Sequence, residues 1–344
     1  MTISSSWGNG HATLWRGLCR ALERRGHQIT FFERDVPYYA AHRDLVALDG
    51  ITIELYPDWG ALSAHAASEV AAADIAIVTS YCPDAIDATR LVADRARFSV
   101  FYDMDSPTTL EGVRNGAPPA YVGDRGLRDF DLVLSYTGGV ALDELQALLG
   151  AKRVAPLYGS VDPDTHRPMP AAPQYAADLS YLGTYAADRQ SALTRLFVDA
   201  ARKRPGRRFV IGGAQYPEEF PWTDNIFFVR HLPPAEHPMF FCSSSLTLNV
   251  TRPAFASRGY CPSGRLFEAA ACGTAVLSDE WIGLETFFTP GDEILLAHGT
   301  DDTLAALSLH EDDRRRIGAR ARERVLDEHT ADHRAVQLES ILDL

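Results

Sequence analysis

Three features are scarce in this sequence, and each scarcity argues against a class of protein. The five cysteines are scattered, without a Cys-x-x-Cys pair or the Cys and His spacing of a zinc site, which is typical of reduced thiols in a cytoplasmic protein. Basic residues number 33 against 46 acidic ones, and the net charge of −13 argues against nucleic acid or an anionic membrane as the partner. No signal peptide or membrane-length apolar run is recognisable, so we expect no integral membrane association.

Two series of alternating strand and helix patterns are present instead. A chain of 344 residues is long enough for two domains, each with its own hydrophobic core. The two series meet at the Pro- and Ala-rich segment 168–173, which has the composition of a linker. The pattern predicts an α/β protein with two Rossmann-like doubly wound domains, at 1–165 and 175–330.

The stretch 261–279 is predicted to form a phosphate-binding loop, a short helix with Ser263 as its N-cap, and a buried strand. Arg265 and Glu268 are the only charged residues of this helix and share one face, because they are three positions apart. Backbone N–H groups at Ser263 and Gly264 suit a diphosphate, and a carboxylate one turn later suits ribose hydroxyls. The alternative is an ordinary solvated ion pair between Arg265 and Glu268.

Polar candidates also occur in two loops of the first half. Gly8 and Gly10 form a flexible turn before a predicted helix, and His11 is a candidate general base because imidazole titrates near neutral pH. The alternative for His11 is a helix-capping or solvent-facing role. Asp103 and Asp105 follow a buried strand, and we interpret them as cleft residues that orient acceptor hydroxyls, with a metal site as the alternative.

Several strings resemble a family of known enzymes. Glu268, followed by Ala269, Ala271 and Gly273, looks like the second half of the donor-binding signature of family-4 retaining glycosyltransferases. SSWGNGHAT near the start, LNVTR before the helix and SDEWIGLETFFTPGDEIL after it resemble the CgeB-like branch of bacterial glycosyltransferases, over essentially the whole chain. The sequence departs from the family-4 signature at Tyr260, where that signature has another glutamate.

The resemblance implies the GT-B fold, in which two Rossmann-like domains face a central cleft. It implies that residues 331–344 form a helix that crosses back to the N-terminal, acceptor-side domain. The nucleotide sugar is then held mostly by the second domain, with Glu268 on the ribose, and with Gly213 and His231 near the base.

The resemblance also bears on the donor phosphates. Thr184 and Arg189 match an arginine and a lysine that neutralise these phosphates in family 4, so that only one of the two cations is present here. Arg252 or Arg265 is expected to replace the other, because a guanidinium matches phosphate oxygens well.

We therefore expect a metal-independent, retaining glycosyltransferase that moves a sugar from a nucleotide-diphosphate donor, a UDP-sugar, to an unidentified acceptor, with no tightly bound cofactor. The expected catalytic residues are His11, Asp105, Arg189 and Arg265. The expected donor-binding residues are Gly8, Gly10, Gly138, Gly183, Thr184, Gly213, His231, Arg252, Ser263, Gly264 and Glu268. Glycines at strand ends are included because they let a ligand approach the backbone closely.

Three alternatives to this expectation stay open. If configuration is inverted, His11 or Asp105 is the expected base. The same architecture also fits an epimerase of sugar nucleotides, which needs no acceptor. A catalytically inactive GT-B module that only binds is the third possibility, suggested by Tyr260 and Thr184.

Overall fold

The computed structural model describes residues 2–343. The strands of the first half are β1 (Ile29–Arg34), β2 (Ile51–Tyr56), β3 (Ala76–Thr79), β4 (Ser99–Asp103), β5 (Leu132–Ser135) and β6 (Val154–Pro156). β1 pairs with β2, and β3 to β6 form a four-stranded sheet in chain order; all these pairs are parallel. Parallel pairing throughout is what a doubly wound α/β domain requires.

The second half forms one six-stranded parallel sheet. Its strands are β7 (Ala177–Leu182), β8 (Phe209–Gly213), β9 (Ile226–Arg230), β10 (Ser244–Asn249), β11 (Val276–Ser278) and β12 (Leu295–Leu296). Their spatial order is β12-β11-β10-β7-β8-β9. The chain moves outward from β7 to β9 and then returns to the other side through β10, so the order reverses between β7 and β10. Open α/β sheets bind ligands at such a reversal, beyond the carboxyl ends of the strands.

Helices connect the strands and cover the sheets. They are α1 (Ala12–Arg24), α2 (Pro37–Ala40), α3 (Trp59–Ala72), α4 (Ala85–Arg95), α5 (Ser106–Arg114), α6 (Val140–Leu149), α7 (Gln190–Leu193), α8 (Asp199–Lys203), α9 (His237–Cys242), α10 (Pro253–Ala256), α11 (Gly264–Ala271), α12 (Thr300–Leu307), α13 (Glu311–Glu328) and α14 (Ala331–Leu342). Among residues 2–343, no helix combines the length and the apolar character needed to cross a bilayer.

The last two helices contact different halves of the molecule. α13 packs against α11 in the second half, whereas α14 packs against α1 in the first. Ala331, Ala335 and Leu338 of α14 are buried in the same core as Leu14 and Leu18 of α1. The chain thus returns to its first half at residue 331, although the domain bounds 1–165, 175–330 and 331–344 stay a prediction.

Candidate active site

A cavity of ≈ 440 Å³ lies between the two halves, at the reversal point of the six-stranded sheet. Its walls come from the ends of β7 and β10, the start of α11, the loop before α1 and the loop after β4. The predicted residues that line it are Gly8, Gly10, His11, Asp105, Gly183, Thr184, Arg189, Gly213, His231, Arg252, Ser263, Gly264, Arg265 and Glu268. Residues from distant parts of the sequence therefore converge on one cavity.

Gly138 is the predicted residue that does not line this cavity. Its N–H donates to the Tyr260 carbonyl oxygen at 3.0 Å, and a Cβ at this position would collide with the Tyr158 hydroxyl. Tyr260 itself has a φ of +46°, and its ring packs against Gly139 and Gly283. Protein side chains, not open space, thus surround Gly138.

Gly183 and Gly213 bring the ends of β7 and β8 close together. A Cβ on Gly213 would collide with the Gly183 carbonyl oxygen, and a Cβ on Gly183 would lie 2.7 Å from Nη2 of Arg265. Only glycine leaves space for the Arg265 side chain at this place.

The Arg265 guanidinium lies at the centre of the reversal point. Its Nε donates to the Leu182 carbonyl oxygen, and its Nη1 donates to Oδ1 of Asn249 at 3.0 Å. It also lies over the Tyr181 ring, 4.9 Å from the centroid. Burial lowers the pKa of Arg265, but a guanidinium keeps its charge in proteins. These neutral partners fix the position of the cation without neutralising it.

Arg189 supplies a second cation to the same wall. Its Nη2 donates to the Thr184 carbonyl oxygen at 2.8 Å, while its Nε is buried without a hydrogen-bond partner. Within residues 2–343, neither Arg189 nor Arg265 has a carboxylate oxygen within ion-pair distance. Two guanidinium groups without a carboxylate in direct contact, in a partly buried cavity, favour a multiply charged anion as ligand.

Arg252 differs from these two cations because carboxylates already surround it. Its Nε is 2.7 Å from Oδ2 of Asp188, and its Nη1 is 3.9 Å from Oδ2 of Asp105. Nη1 also contacts Oγ1 of Thr108 at 3.4 Å. Arg252 therefore joins the two halves across the cavity and has less positive charge to offer a ligand.

Helix α11 begins at the cavity wall. Ser263 stands at the N-cap position, as expected, but its hydroxyl donates to Oδ1 of Asn249 at 2.9 Å and does not cap the helix. The predicted capping hydrogen bond is thus wrong: the hydroxyl is turned towards Asn249 on β10 and does not accept from an N–H of the helix. Since no side chain caps this helix start, its N–H groups suit an anionic ligand.

Glu268 is one turn into α11, and its side chain is 12% exposed. Its Oε1 accepts a hydrogen bond from Oγ1 of Thr13 at 3.1 Å, which links α11 to α1. His166 and His237 also face the carboxylate, with closest N···O distances of 3.8 Å and 3.9 Å. Burial alone would raise the pKa of Glu268, but His166, His237, Thr13 and Arg265 together hold it below its ordinary value. Glu268 is therefore an ionised carboxylate, not a solvated partner of Arg265.

His11 faces the cavity from the first half. Its ring is 5.8 Å from the Tyr136 ring, centroid to centroid, and it makes no side-chain capping hydrogen bond to α1. Burial lowers its pKa, although the nearby Asp105 carboxylate opposes that shift. A neutral imidazole on the cavity wall has the protonation state that a general base needs.

Asp105 reaches the cavity whereas Asp103 does not. Asp105 accepts hydrogen bonds from the Tyr81 hydroxyl and from Oγ1 of Thr108. Asp103 is fully buried; its Oδ1 accepts from the Asp105 N–H at 3.0 Å, and its Oδ2 has no hydrogen-bond partner. Of the two, Asp105 is the residue placed to meet an acceptor.

Sequence reasoning missed four side chains at this site. Thr13, His166 and His237 surround Glu268. Trp7 stacks on His42 at 3.9 Å and contacts the His231 ring at 4.0 Å, so it joins the loop before α1 to the loop after β9. No local pattern marks these residues, because each meets its partner only through the fold.

Comparison with known proteins agrees with this geometry. Residues 189–340 match the family model described as glycosyl transferase-like. An alpha-glucosyltransferase solved with UDP-glucose and DNA containing an abasic site superposes with a TM-score of 0.68 at 12% identity, over 99% of this chain and 98% of that one. Sucrose-phosphate synthase from Thermosynechococcus elongatus gives a TM-score of 0.65 at 14% identity, over 95% of this chain and 91% of that one. Anabaena HepE with UDP and glucose gives a TM-score of 0.63 at 13% identity, over 92% of this chain and 99% of that one.

A second kind of match is shorter. Two secreted triacylglycerol lipases of Malassezia globosa are 26% identical over 136 residues, which is 38% of this chain and 30% of each lipase. The chain thus spans less than a third of the curated relatives it matches. No glycine in the sequence has serine two positions later, so the Gly-x-Ser-x-Gly string of a serine hydrolase elbow does not occur. The fold is that of GT-B glycosyltransferases, and the family match supports a glycosyltransferase.

Proposed function

We propose that this protein transfers a sugar from a UDP-sugar to an acceptor, in the manner of the CgeB-like branch. The observation that carries the proposal is the pair of guanidinium groups without a carboxylate at ion-pair distance, Arg189 and Arg265, beside the uncapped start of α11 at the reversal point of the sheet. Charge develops on the leaving diphosphate as the bond to the anomeric carbon breaks. Fixed donors aimed at that charge stabilise the transition state more than the ground state.

Glu268 completes the donor site in this proposal. A buried, ionised carboxylate one turn from the helix start is placed to accept hydrogen bonds from ribose hydroxyls. Its Oε1 accepts a hydrogen bond from the hydroxyl of Thr13. Binding of a nucleotide would replace that hydrogen bond with those to the ribose.

The acceptor side is formed by His11 and Asp105 in the first half. We propose transfer with retention and without a metal ion, with the leaving phosphate as the proton acceptor, so that neither residue has to act as base. Asp105 would then orient an acceptor hydroxyl. If configuration is inverted instead, the neutral imidazole of His11 is the base. The scattered thiols fit a cytoplasmic location.

Calorimetry with UDP tests the donor site. We expect Glu268→Ala to weaken UDP binding about tenfold or more, because a hydrogen bond to a charged group contributes about 1.5–3 kcal/mol. Glu280→Ala, on an exposed side chain after β11, is the matched control and should bind like the parent. Unchanged affinity in Glu268→Ala would remove the ribose role. Comparing guanosine, thymidine and adenosine diphosphates in the same assay identifies the base.

Turnover tests the phosphate site. Arg189→Ala should slow sugar transfer or donor hydrolysis about 100-fold with little change in melting temperature. Arg195→Ala, an exposed residue six positions later, should keep the parent rate. A large fall in melting temperature with little loss of turnover in Arg189→Ala would instead indicate a structural role. Isomerised UDP-sugar without acceptor would indicate an epimerase, and UDP affinity with neither hydrolysis nor transfer of any sugar would indicate an inactive binding module.

A further inference from the structure

Three potential metal ligands meet behind the cavity. His166 follows β6 in the crossover to the second half, His237 begins α9, and Glu268 lies in α11. One ligand atom from each residue lies within 4.8 Å of the other two. Nε2 of His166 and Nδ1 of His237 are buried and have no hydrogen-bond partner among residues 2–343, and the His166 side chain is only 2% exposed.

The hydrogen bond of His237 to the backbone favours a cation in this arrangement. Its Nε2 lies 3.2 Å from the Leu232 carbonyl oxygen, which can only accept, so the ring proton is on Nε2. Nδ1 then directs a lone pair towards the Glu268 carboxylate, 3.9 Å away. A lone pair and a carboxylate repel each other, and a positive ion between them would turn this repulsion into attraction. An N–H hydrogen bond to a backbone carbonyl is also how metal-binding histidines are commonly oriented.

The distances fit a small ion better than direct hydrogen bonds. The N···O separations of 3.8 Å and 3.9 Å are too long for hydrogen bonds. Zn–N and Zn–O bonds of about 2.0–2.2 Å at tetrahedral angles place ligand atoms about 3.3 Å apart. The two His–Glu separations exceed this spacing by roughly half an ångström, and all three ligand atoms lie within 4.8 Å of one another.

We propose that His166, His237 and Glu268 bind one Zn²⁺ ion. Two imidazole nitrogens and one carboxylate are a ligand set that zinc uses with an open fourth position, whereas Mg²⁺ and Ca²⁺ prefer oxygen ligands. His237 and Glu268 line the cavity, so the ion has a path to the site.

Occupation of this site would oppose donor binding. This consequence depends on the proposed function, in which Glu268 accepts hydrogen bonds from the ribose. Both carboxylate oxygens face the histidines, Oε1 towards His166 and Oε2 towards His237. A bound ion would therefore compete with the nucleotide for the same carboxylate, and Zn²⁺ would act as an inhibitor.

Zn²⁺ titration of the full chain tests the site without any nucleotide. After treatment with a chelator and dialysis, we expect one Zn²⁺ per chain by calorimetry and by elemental analysis, and no binding of Mg²⁺ by these residues. His166→Gln and His237→Gln should each weaken Zn²⁺ binding about tenfold or more. His298→Gln is the control, because His298 faces Glu280 on the surface with both side chains more than half exposed. Circular dichroism and thermal unfolding show that each variant is folded.

The outcomes separate the two proposals. Zn²⁺ binding equal in the parent and both histidine variants would overturn the metal site, and so would a chain that binds no Zn²⁺; the unpartnered nitrogens would then be satisfied by water. If the parent binds UDP in either case, the proposed function stands without the metal site. If the chain binds Zn²⁺ but Zn²⁺ leaves the affinity for UDP unchanged, the metal site stands and the ribose role of Glu268 fails.

Discussion

At the scale of single residues, two carboxyl groups that are neighbours in sequence have different environments. Asp105 faces the cavity and has hydrogen-bond donors from Tyr81 and Thr108. Asp103 is buried at the end of β4, with one oxygen unpartnered. Burial raises the pKa of Asp103 to about 7, against the partial compensation of the Asp105 N–H. The Asp-x-Asp string thus contains one polar cavity residue and one core residue whose pKa is raised.

We predict that Asp103 makes the protein less stable as pH rises. Its folded pKa of about 7 exceeds the ordinary 3.8, so the folded state binds the proton more tightly than the unfolded state. Its stabilising effect is complete below pH 4 and is lost as pH rises through 7. As pH rises from 5 to 8, the free energy of unfolding of the parent should therefore fall relative to that of Asp103→Asn, on the order of 2–3 kcal/mol. Urea unfolding at both pH values measures this difference.

The control for this prediction is Asp124→Asn, on an exposed residue of the same half. It should leave the pH profile of the free energy of unfolding unchanged. Parallel profiles for the parent and Asp103→Asn would contradict the assignment of a raised pKa to Asp103.

The residues that sequence reasoning found and those that it missed differ in how far along the sequence their contact partners lie. Arg265 and Glu268 could be placed on one face of a helix because they are three positions apart and the rest of that helix is apolar. His166 and His237 reach Glu268 from two other segments, across separations of 102 and 31 positions. No periodicity encodes such a meeting, and only the packing of α9 and the crossover segment produces it.

At the scale of elements, apolar runs predicted the strands well. They did not predict which groups pack against the strand ends. Val276 and Leu277 form a compact apolar run that becomes a buried strand, as expected. The close approach at Gly138 was expected to serve a ligand, yet Tyr158 and Tyr260 occupy its surroundings. A glycine indicates that something approaches the backbone closely, but the sequence does not tell whether that is a ligand or a side chain.

The junction of β7 and β8 provides a prediction at this scale. Gly213→Ala should lower stability by about 1–3 kcal/mol and weaken UDP binding, because its Cβ would push the Gly183 carbonyl and the loop that holds Arg265. Gly206→Ala is the matched control, since a Cβ there has no heavy atom within 4 Å. Thermal unfolding and calorimetry compare the two variants. Equal effects of both substitutions would show that the ends of β7 and β8 adapt without cost.

At the scale of the whole molecule, the cavity exists only because the two halves are held at a fixed separation. Arg252 bonds to Asp188 of the second half and approaches Asp105 of the first. Thr13 and Glu268 connect α1 to α11. The chain itself adds a third connection, since α13 packs on α11 and α14 on α1. The site thus depends on residues far from the cavity.

Substitution in α14 tests this dependence. Leu338 is 4% exposed and packs in the core of the first half with Trp15 and Leu18. Leu338→Ala should therefore cost about 2–4 kcal/mol through lost burial and a residual cavity, and it should lower the temperature up to which UDP binding persists. Val336→Ala, on a side chain that is 48% exposed, should change neither quantity. If Leu338→Ala lowered stability without affecting the temperature range of UDP binding, α14 would support the first half alone and would not help to hold the cavity.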